Sequence, residues 1–461
     1  MSLLIRNAEV AGRAGQDVRI EAGRIVGVGL GLPRAITELD GKGGALIPGL
    51  CDHHIHLFGL AARADSVGLE GAATAEEAML RLSAALATRP AGTWVRAIGY
   101  HETMAGDLDR DDLDAIAPRH RLRIQHQTGS LWILNSMALA SLGDDSPPEG
   151  LERDAKGRPT GRLWREDVWL RSRIGTAPPP LAPIGRMLAA FGVTAVTDAS
   201  VTTDLGGAEQ LAQAHRSGDL PQHLTLMSGG LLSAPDDGAF TVGPVKVLLD
   251  DHALPDFDDF LGRIARAREW GRAVAVHCVT GAELALTLAA FEAQGAQPGD
   301  RIEHGGMIPS DAISSLRRLG LTVVTQSAFV RERGDRYASG VDAGDHGDLY
   351  RCASLLAAGV PVLGSSDAPY ATPDPWIGIR TAVDRMTSTG VVLGPEERVS
   401  PDVALGMYLD GPGAPGSRRR QVEVGARADL CLLKTPLRQA LDMPCAELVR
   451  ATLVEGEVVY G

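Results

Sequence analysis

The chain has 461 residues, 44% of them hydrophobic, and 45 lysines and arginines stand against 58 aspartates and glutamates for a formal net charge of −13. That length can bury a large catalytic domain and a smaller companion, and the acidic balance without a basic run excludes nucleic acid and an anionic membrane as partners. Five cysteines without a CxxC pair, no signal peptide and no apolar stretch long enough for a bilayer predict a reduced, cytoplasmic protein, with homo-oligomerisation left open.

In chain order, residues 1–46 hold short apolar runs such as Leu3-Leu4-Ile5, Val18-Arg19-Ile20 and Ile25-Val26-Gly27-Val28, broken by Gly and Asn. These predict small antiparallel strands. The C-terminus repeats the style at 428–433 and 449–460, so 1–46 and 420–461 are expected to form one β-sandwich. Residues 47–419 alternate strand-like runs with amphipathic helical stretches, the pattern of βαβ units. Strands are expected at 47–56, 193–199, 222–228, 245–250, 273–278, 301–306, 321–327 and 360–367, with helices at 256–270, 281–293 and 309–319 in the gaps. The fold class is therefore α/β, a (β/α)8 TIM barrel. Residues 60–185 do not fit this count. A helix near 75–88 and strand-like runs at 94–100 and 122–126 make them an insertion after barrel strand one, expected to be lid-like and to end near Pro178-Pro179-Pro180.

His54 and His56 lie two apart in the first barrel strand, so alternation points both imidazoles the same way. Lys246, His277, His304 and Asp367 lie at or near the ends of later strands, where such a barrel carries its functional groups. Together these six residues could hold divalent metal and a water. Imidazole with carboxylate suits zinc first, then iron, manganese or nickel. Such an ion depresses the pKa of bound water, and Asp367 is the group placed to manage the proton.

Lys246 is one of four lysines, with Lys42, Lys156 and Lys434, and it stands inside an apolar strand where an isolated ammonium is costly. A neutral amine there can add carbon dioxide to give a carbamate, an anionic bridge between two metal ions. Asp52 shares the face of His54 and suits a structural hydrogen bond as well as a catalytic duty. Tyr100, His101, Trp132, Gln326 and Tyr370 follow or end strand-like runs where pocket walls are expected.

The ordered set Pro48-Gly49-Leu50-Cys51-Asp52-His53-His54-Ile55-His56, Val245-Lys246-Val247, Val276-His277, Ile302-Glu303-His304, Gly364-Ser365-Ser366-Asp367-Ala368-Pro369 and Val424-Gly425-Ala426-Arg427-Ala428-Asp429-Leu430 spans nearly the whole chain. It resembles the amidohydrolase superfamily, in the family 3 branch that includes N-substituted formamide deformylase. The resemblance implies that His54 and His56 hold the more buried metal, that Lys246 bridges as a carbamate, and that His277 and His304 hold the second metal. It also implies that Asp367 ligates the first metal and shuttles a proton. The expected activity is cleavage of an amide-type C–N bond in a small molecule by metal-bound hydroxide.

Two alternatives stand beside that expectation. Deaminases of heterocycles in the same superfamily usually place a Glu three residues after the strand-five histidine, whereas this chain has Thr280 there. A non-catalytic scaffold would tend to lose ligands, and this chain keeps every one. Two departures from the family pattern remain: Gly129-Ser130-Leu131-Trp132 lacks the Gly-His that often precedes the Asn-Ser of the insertion, and Asp250-Asp251-His252 follows Lys246 instead of an Asp-Gly turn.

Overall fold

The computed structural model describes residues 2–72, 74–143, 147–175, 179–411 and 419–461, in two compact units, Met1–Leu57 with Leu181–Gly461, and Phe58–Pro180. The first unit contains eight barrel strands: Leu50–Ile55, Val193–Asp198, His223–Ser228, Thr241–Val247, Val274–Cys278, Arg301–His304, Thr322–Thr325 and Val362–Gly364. They are hydrogen-bonded in chain order and every neighbouring pair is parallel. The eighth returns to the first through Asp367 N–H to His54 O and His56 N–H to Ala368 O, both 2.8 Å, so the barrel is nearly closed. The strands are apolar on both faces because one face meets the barrel interior and the other meets helices. Helix Phe257–Glu269 has Asp256 as its N-cap and buries Phe260, Ile264 and Ala267, spaced to form one stripe.

The run read as one strand over 47–56 is divided at Gly49. Leu46–Pro48 pairs antiparallel with Leu430–Leu433, and Leu50–Ile55 enters the barrel. A Cβ at Gly49 would lie 2.1 Å from Thr194 Cγ2, so the crossing from one sheet to the other tolerates no side chain. Strand four runs over Thr241–Val247 and stops before the end of its apolar run, leaving Leu248 52% exposed. Strand eight stops at Gly364, which leaves Asp367 on the segment that follows.

The two ends of the chain form two four-stranded sheets. One has Arg24–Gly29, Arg13–Glu21, Ser2–Val10 and Thr37–Asp40, and the other has Glu457–Tyr460, Val449–Val454, Leu430–Leu433 and Leu46–Pro48. Leu3, Ile5, Val18 and Ile20 of the first share a core with Leu430, Leu432, Ala451 and Leu453 of the second.

The second unit is a folded body with its own core. Its six-stranded sheet runs Leu151–Arg153, Pro159–Trp164, Leu131–Leu134, Arg121–His126, Trp94–Tyr100, Val67–Gly68. Thr74 caps helix Ala75–Thr88 by accepting from Glu77 N at 3.2 Å, and Ala78, Leu82 and Leu86 pack in one cluster with Val95, Leu122 and Ile124. Pro178, expected near the end of this insertion, lies outside the described residues. Among the described residues no helix is long and apolar enough to cross a membrane.

Candidate metal centre

Asp52 ties the first barrel strand to the segment after the eighth. Its Oδ1 accepts from His54 N at 3.2 Å and from Ser366 N at 3.0 Å, and burial pushes its carboxyl up to about 6. Of the two duties open to Asp52, these contacts are structural. They help bring Asp367 against the His54–His56 pair. His56 Nε2 lies 3.1 Å and His54 Nε2 3.4 Å from Asp367 Oδ1, and His304 Nδ1 lies 3.7 Å from Oδ2. Ligand atoms of His54, His56 and Asp367 all fall within 4.8 Å of one another. His277 joins through His304, with ring centroids 4.4 Å apart.

Two of these residues hold a backbone that non-glycine residues seldom adopt: φ is 70° at His304 and 57° at Asp367. Left-handed backbone costs on the order of 1–2 kcal/mol per residue, and such strain concentrates at functional sites. At His304 it has a visible effect. Arg301 and Glu303 both reach groups of strand one, His53 O and His54, so their side of strand six is the barrel interior. Simple alternation would turn His304 away from that side, and the positive φ brings its ring back to Asp367.

The donor set fits a divalent ion. His54 Nε2, Asp367 Oδ1 and Lys246 Nζ are buried without a hydrogen-bond partner, a costly state that an ion relieves. Burial holds the His54 and His304 imidazoles well below their ordinary range and pushes His277 down to about 4, with the Lys246 charge acting in the same direction. Neutral imidazole is the form that ligates. Burial likewise lowers the Lys246 ammonium, opposed by the charges of Glu303 and Asp367.

Three of the histidines are also held by a hydrogen bond at Nδ1. His54 Nδ1 is hydrogen-bonded to Glu303, His56 Nδ1 to Ser200 Oγ at 3.0 Å, and His304 Nδ1 to Gln326 Oε1 at 3.0 Å. Such partners orient metal ligands. Sequence reasoning missed the roles of Glu303 and Ser200. For Glu303 a signal existed: Arg301-Ile302-Glu303-His304 puts two opposite charges two apart in a wholly buried strand, where charges persist only when paired.

The residues expected to wall the pocket are placed unevenly. Tyr370 is 61% exposed, its ring 5.7 Å from that of His56 and edge-on to it. Gln326 is fully buried and spends both ends of its amide, donating to Ser365 Oγ at 2.9 Å as well as binding His304. Tyr100 is buried in the inserted unit, where its hydroxyl donates to Gly106 O and accepts from Leu108 N at 3.3 Å. Trp132 is buried there too. Its indole donates to Asp167 at 2.9 Å, and its ring carries the guanidinium groups of Arg96 and Arg123 at 5.3 and 5.2 Å. For Gln326, Tyr100 and Trp132 the polar atoms are thus satisfied by the protein itself.

His101 caps helix Glu102–Ala105 and forms a second imidazole–carboxylate group with Glu102 and His126. His101 Nδ1 accepts from Thr103 N and His126 Nδ1 from Thr128 N, each at 3.2 Å, so both rings carry their proton on Nε2. His126 Nε2 gives that proton to Glu102 at 2.8 Å, a hydrogen-bonded clasp in which both imidazoles have spent their Nδ1 lone pairs on backbone N–H groups. Glu332 and Arg333 brace the loop after Asp367: Glu332 accepts from Thr372 N at 3.0 Å and Arg333 donates to Tyr370 O at 2.8 Å. Cys51 and Cys278 are buried free thiols that burial pushes up to about 12.

A nearly closed parallel barrel that gathers imidazoles and a carboxylate at its strand ends, in one unit with sheets from both termini, has the architecture of the metal-dependent hydrolases. The sequence profile of the amidohydrolase family matches residues 37–460, and the chain belongs to that family. It is 27% identical to the N-substituted formamide deformylase of Arthrobacter pascens, over 99% of this chain and 97% of that protein. Its fold is similar to that of an uncharacterized metal-dependent hydrolase from Pyrococcus horikoshii OT3, with TM-score 0.76, 19% identity, and coverage of 99% and 100%. It also resembles the atrazine chlorohydrolase TrzN of Arthrobacter aurescens TC1, solved with zinc, with TM-score 0.57, 15% identity, and coverage of 99% and 94%. The protein is a hydrolase, and its His54–His56–Asp367 group supports a divalent metal.

Proposed function

We propose that the protein hydrolyses an amide-type C–N bond of a small molecule in the reduced cytoplasm, with zinc as its ion. His54, His56 and Asp367 would hold one ion and His277 and His304 a second. Lys246 would lie between them as a carbamate, its neutral amine having added carbon dioxide and lost a proton. When bound, the ions act as Lewis acids that make water nucleophilic at neutral pH and polarise a carbonyl oxygen.

The chain's own residues do the rest. Asp367, whose Oδ1 lies 3.1 Å from His56 Nε2 and 3.4 Å from His54 Nε2, accepts the proton of the attacking water and delivers it to the departing nitrogen as the C–N bond breaks. Glu303, Ser200 and Gln326 keep the imidazoles oriented. Tyr370, exposed beside His56, offers a ring against which an apolar substituent can rest.

The observation that carries this reading is the convergence of Asp367 with His54 and His56, with orphaned polar atoms on two of the three. The deaminase alternative is disfavoured by Thr280, the N-cap of helix Gly281–Gln294. Glu283, the nearest carboxylate along that helix, is buried and consumed in the capping box, accepting from Val279 N at 2.6 Å and Thr280 N at 2.9 Å. The name of the Arthrobacter pascens relative puts N-formyl amines first among substrates. The test sets two panels against each other, N-formyl, N-acyl and lactam compounds in one, aminopurines, aminopyrimidines and aminotriazines in the other. Acid and amine released from the first panel alone support the proposal, and ammonia from the second alone overturns it.

A further inference from the structure

Arg301, Glu303 and His54 form a buried chain across the barrel. Glu303 has no exposed surface, its Oε1 accepts from Arg301 Nε at 2.5 Å, and its Oε2 is hydrogen-bonded to His54 Nδ1. Arg301 also donates to His53 O at 3.1 Å, which anchors the guanidinium on the strand that carries His54. A carboxylate clamped by a guanidinium has only lone pairs to offer, so the proton of this hydrogen bond belongs to Nδ1. His54 Nε2 then keeps its lone pair, 3.4 Å from Asp367 Oδ1 and without a hydrogen-bond partner.

The other histidines are held differently. At Nδ1 His56 and His304 have neutral hydrogen-bond partners in Ser200 and Gln326, with Asp367 facing both rings from the site, and His277 has no ring hydrogen bond among the described residues. An anionic partner increases the basicity of the imidazole it holds, and losing such a partner typically lowers metal affinity 10–100-fold. We infer that Glu303, clamped by Arg301, is the positioning residue that fixes His54 as an Nε2 ligand and makes the His54–His56–Asp367 corner the tighter of two ion positions. The inference rests on the metal reading given above.

Two measurements test it. Metal-free wild-type protein labelled with 15N-histidine, with His54→Gln for assignment, should show His54 protonated at Nδ1. In zinc competition against a chromophoric chelator, Glu303→Gln should bind its tightest zinc about 10–100-fold more weakly than wild type, with Glu303→Asp recovering most of the loss. Cobalt(II) bound in place of zinc should show shifted visible absorption in Glu303→Gln. A His54 protonated at Nε2, or a folded Glu303→Gln with wild-type zinc affinity and cobalt spectrum, overturns the inference. If Glu303→Gln does not fold, the wild-type tautomer decides alone. Wild-type protein that binds zinc no better than His54→Ala refutes instead the metal reading on which the inference depends.

Discussion

Asp367→Asn isolates the charge of Asp367 from its shape. The residue sits at φ 57°, a region that Asn tolerates better than most residues, whereas Ala would add backbone strain to the loss of the carboxylate. The carboxylate lies 3.1 Å from His56 Nε2 and 3.4 Å from His54 Nε2, so an amide of the same size can still offer Oδ1 at that place. It cannot accept a proton from water and release it to nitrogen. Loss of general acid–base work lowers turnover by on the order of 10² to 10⁴, equivalent to about 2.7–5.4 kcal/mol of barrier. The assay is kcat on the best substrate of the N-formyl and N-acyl panel, with zinc content and melting temperature measured on the same samples. A zinc-replete, folded Asp367→Asn turning over within a few-fold of wild type would refute the proton-transfer role.

Zinc-edge anomalous scattering should give two peaks about 3.5 Å apart, the spacing of two-metal hydrolytic sites, with Lys246 extended as a carbamate. A single peak beside a free amine defeats the bridge. Gly49→Ala places a methyl 2.1 Å from Thr194 Cγ2 and should lower stability in denaturant unfolding, by about 1–3 kcal/mol for an overpacked site. Wild-type stability would show that Thr194 yields freely.

Asp374 supplies a pH test away from the site. Burial pushes its carboxyl from the ordinary 3.8 up to about 6, so the folded chain holds this proton more tightly than the unfolded one and the group's contribution to stability falls as pH rises through that window. Asp374→Asn keeps an oxygen for Trp376 N at the helix N-cap and should gain on wild type between pH 4 and 7, by up to about 3 kcal/mol. Parallel stability–pH curves would rule that contribution out.

The barrel strands and the helices that follow strands four to six could be read from the chain because hydrophobic spacing reports burial, and burial on a regular backbone has a period. Helix Gly281–Gln294 and strand Val274–Cys278 lie within a residue of their expected bounds for that reason. The His54–His56 doublet was visible on the same ground, since strand alternation is local. Tertiary structure decided the rest. The position between strands Leu46–Pro48 and Leu50–Ile55 must be glycine because Thr194, 145 residues on, lies against it. His304 reaches Asp367 through a positive φ that no side-chain pattern announces. Tyr100 and Gln326 stand at strand ends, as pocket residues would, and Trp132 lies within a strand, yet partners brought by folding take up the polar atoms of all three. Glu303 and His54 are 249 positions apart. A hydrogen bond between them leaves no trace in either neighbourhood beyond a charge where an apolar strand should carry none, because sequence encodes who is buried locally and only the closed barrel determines who is buried together.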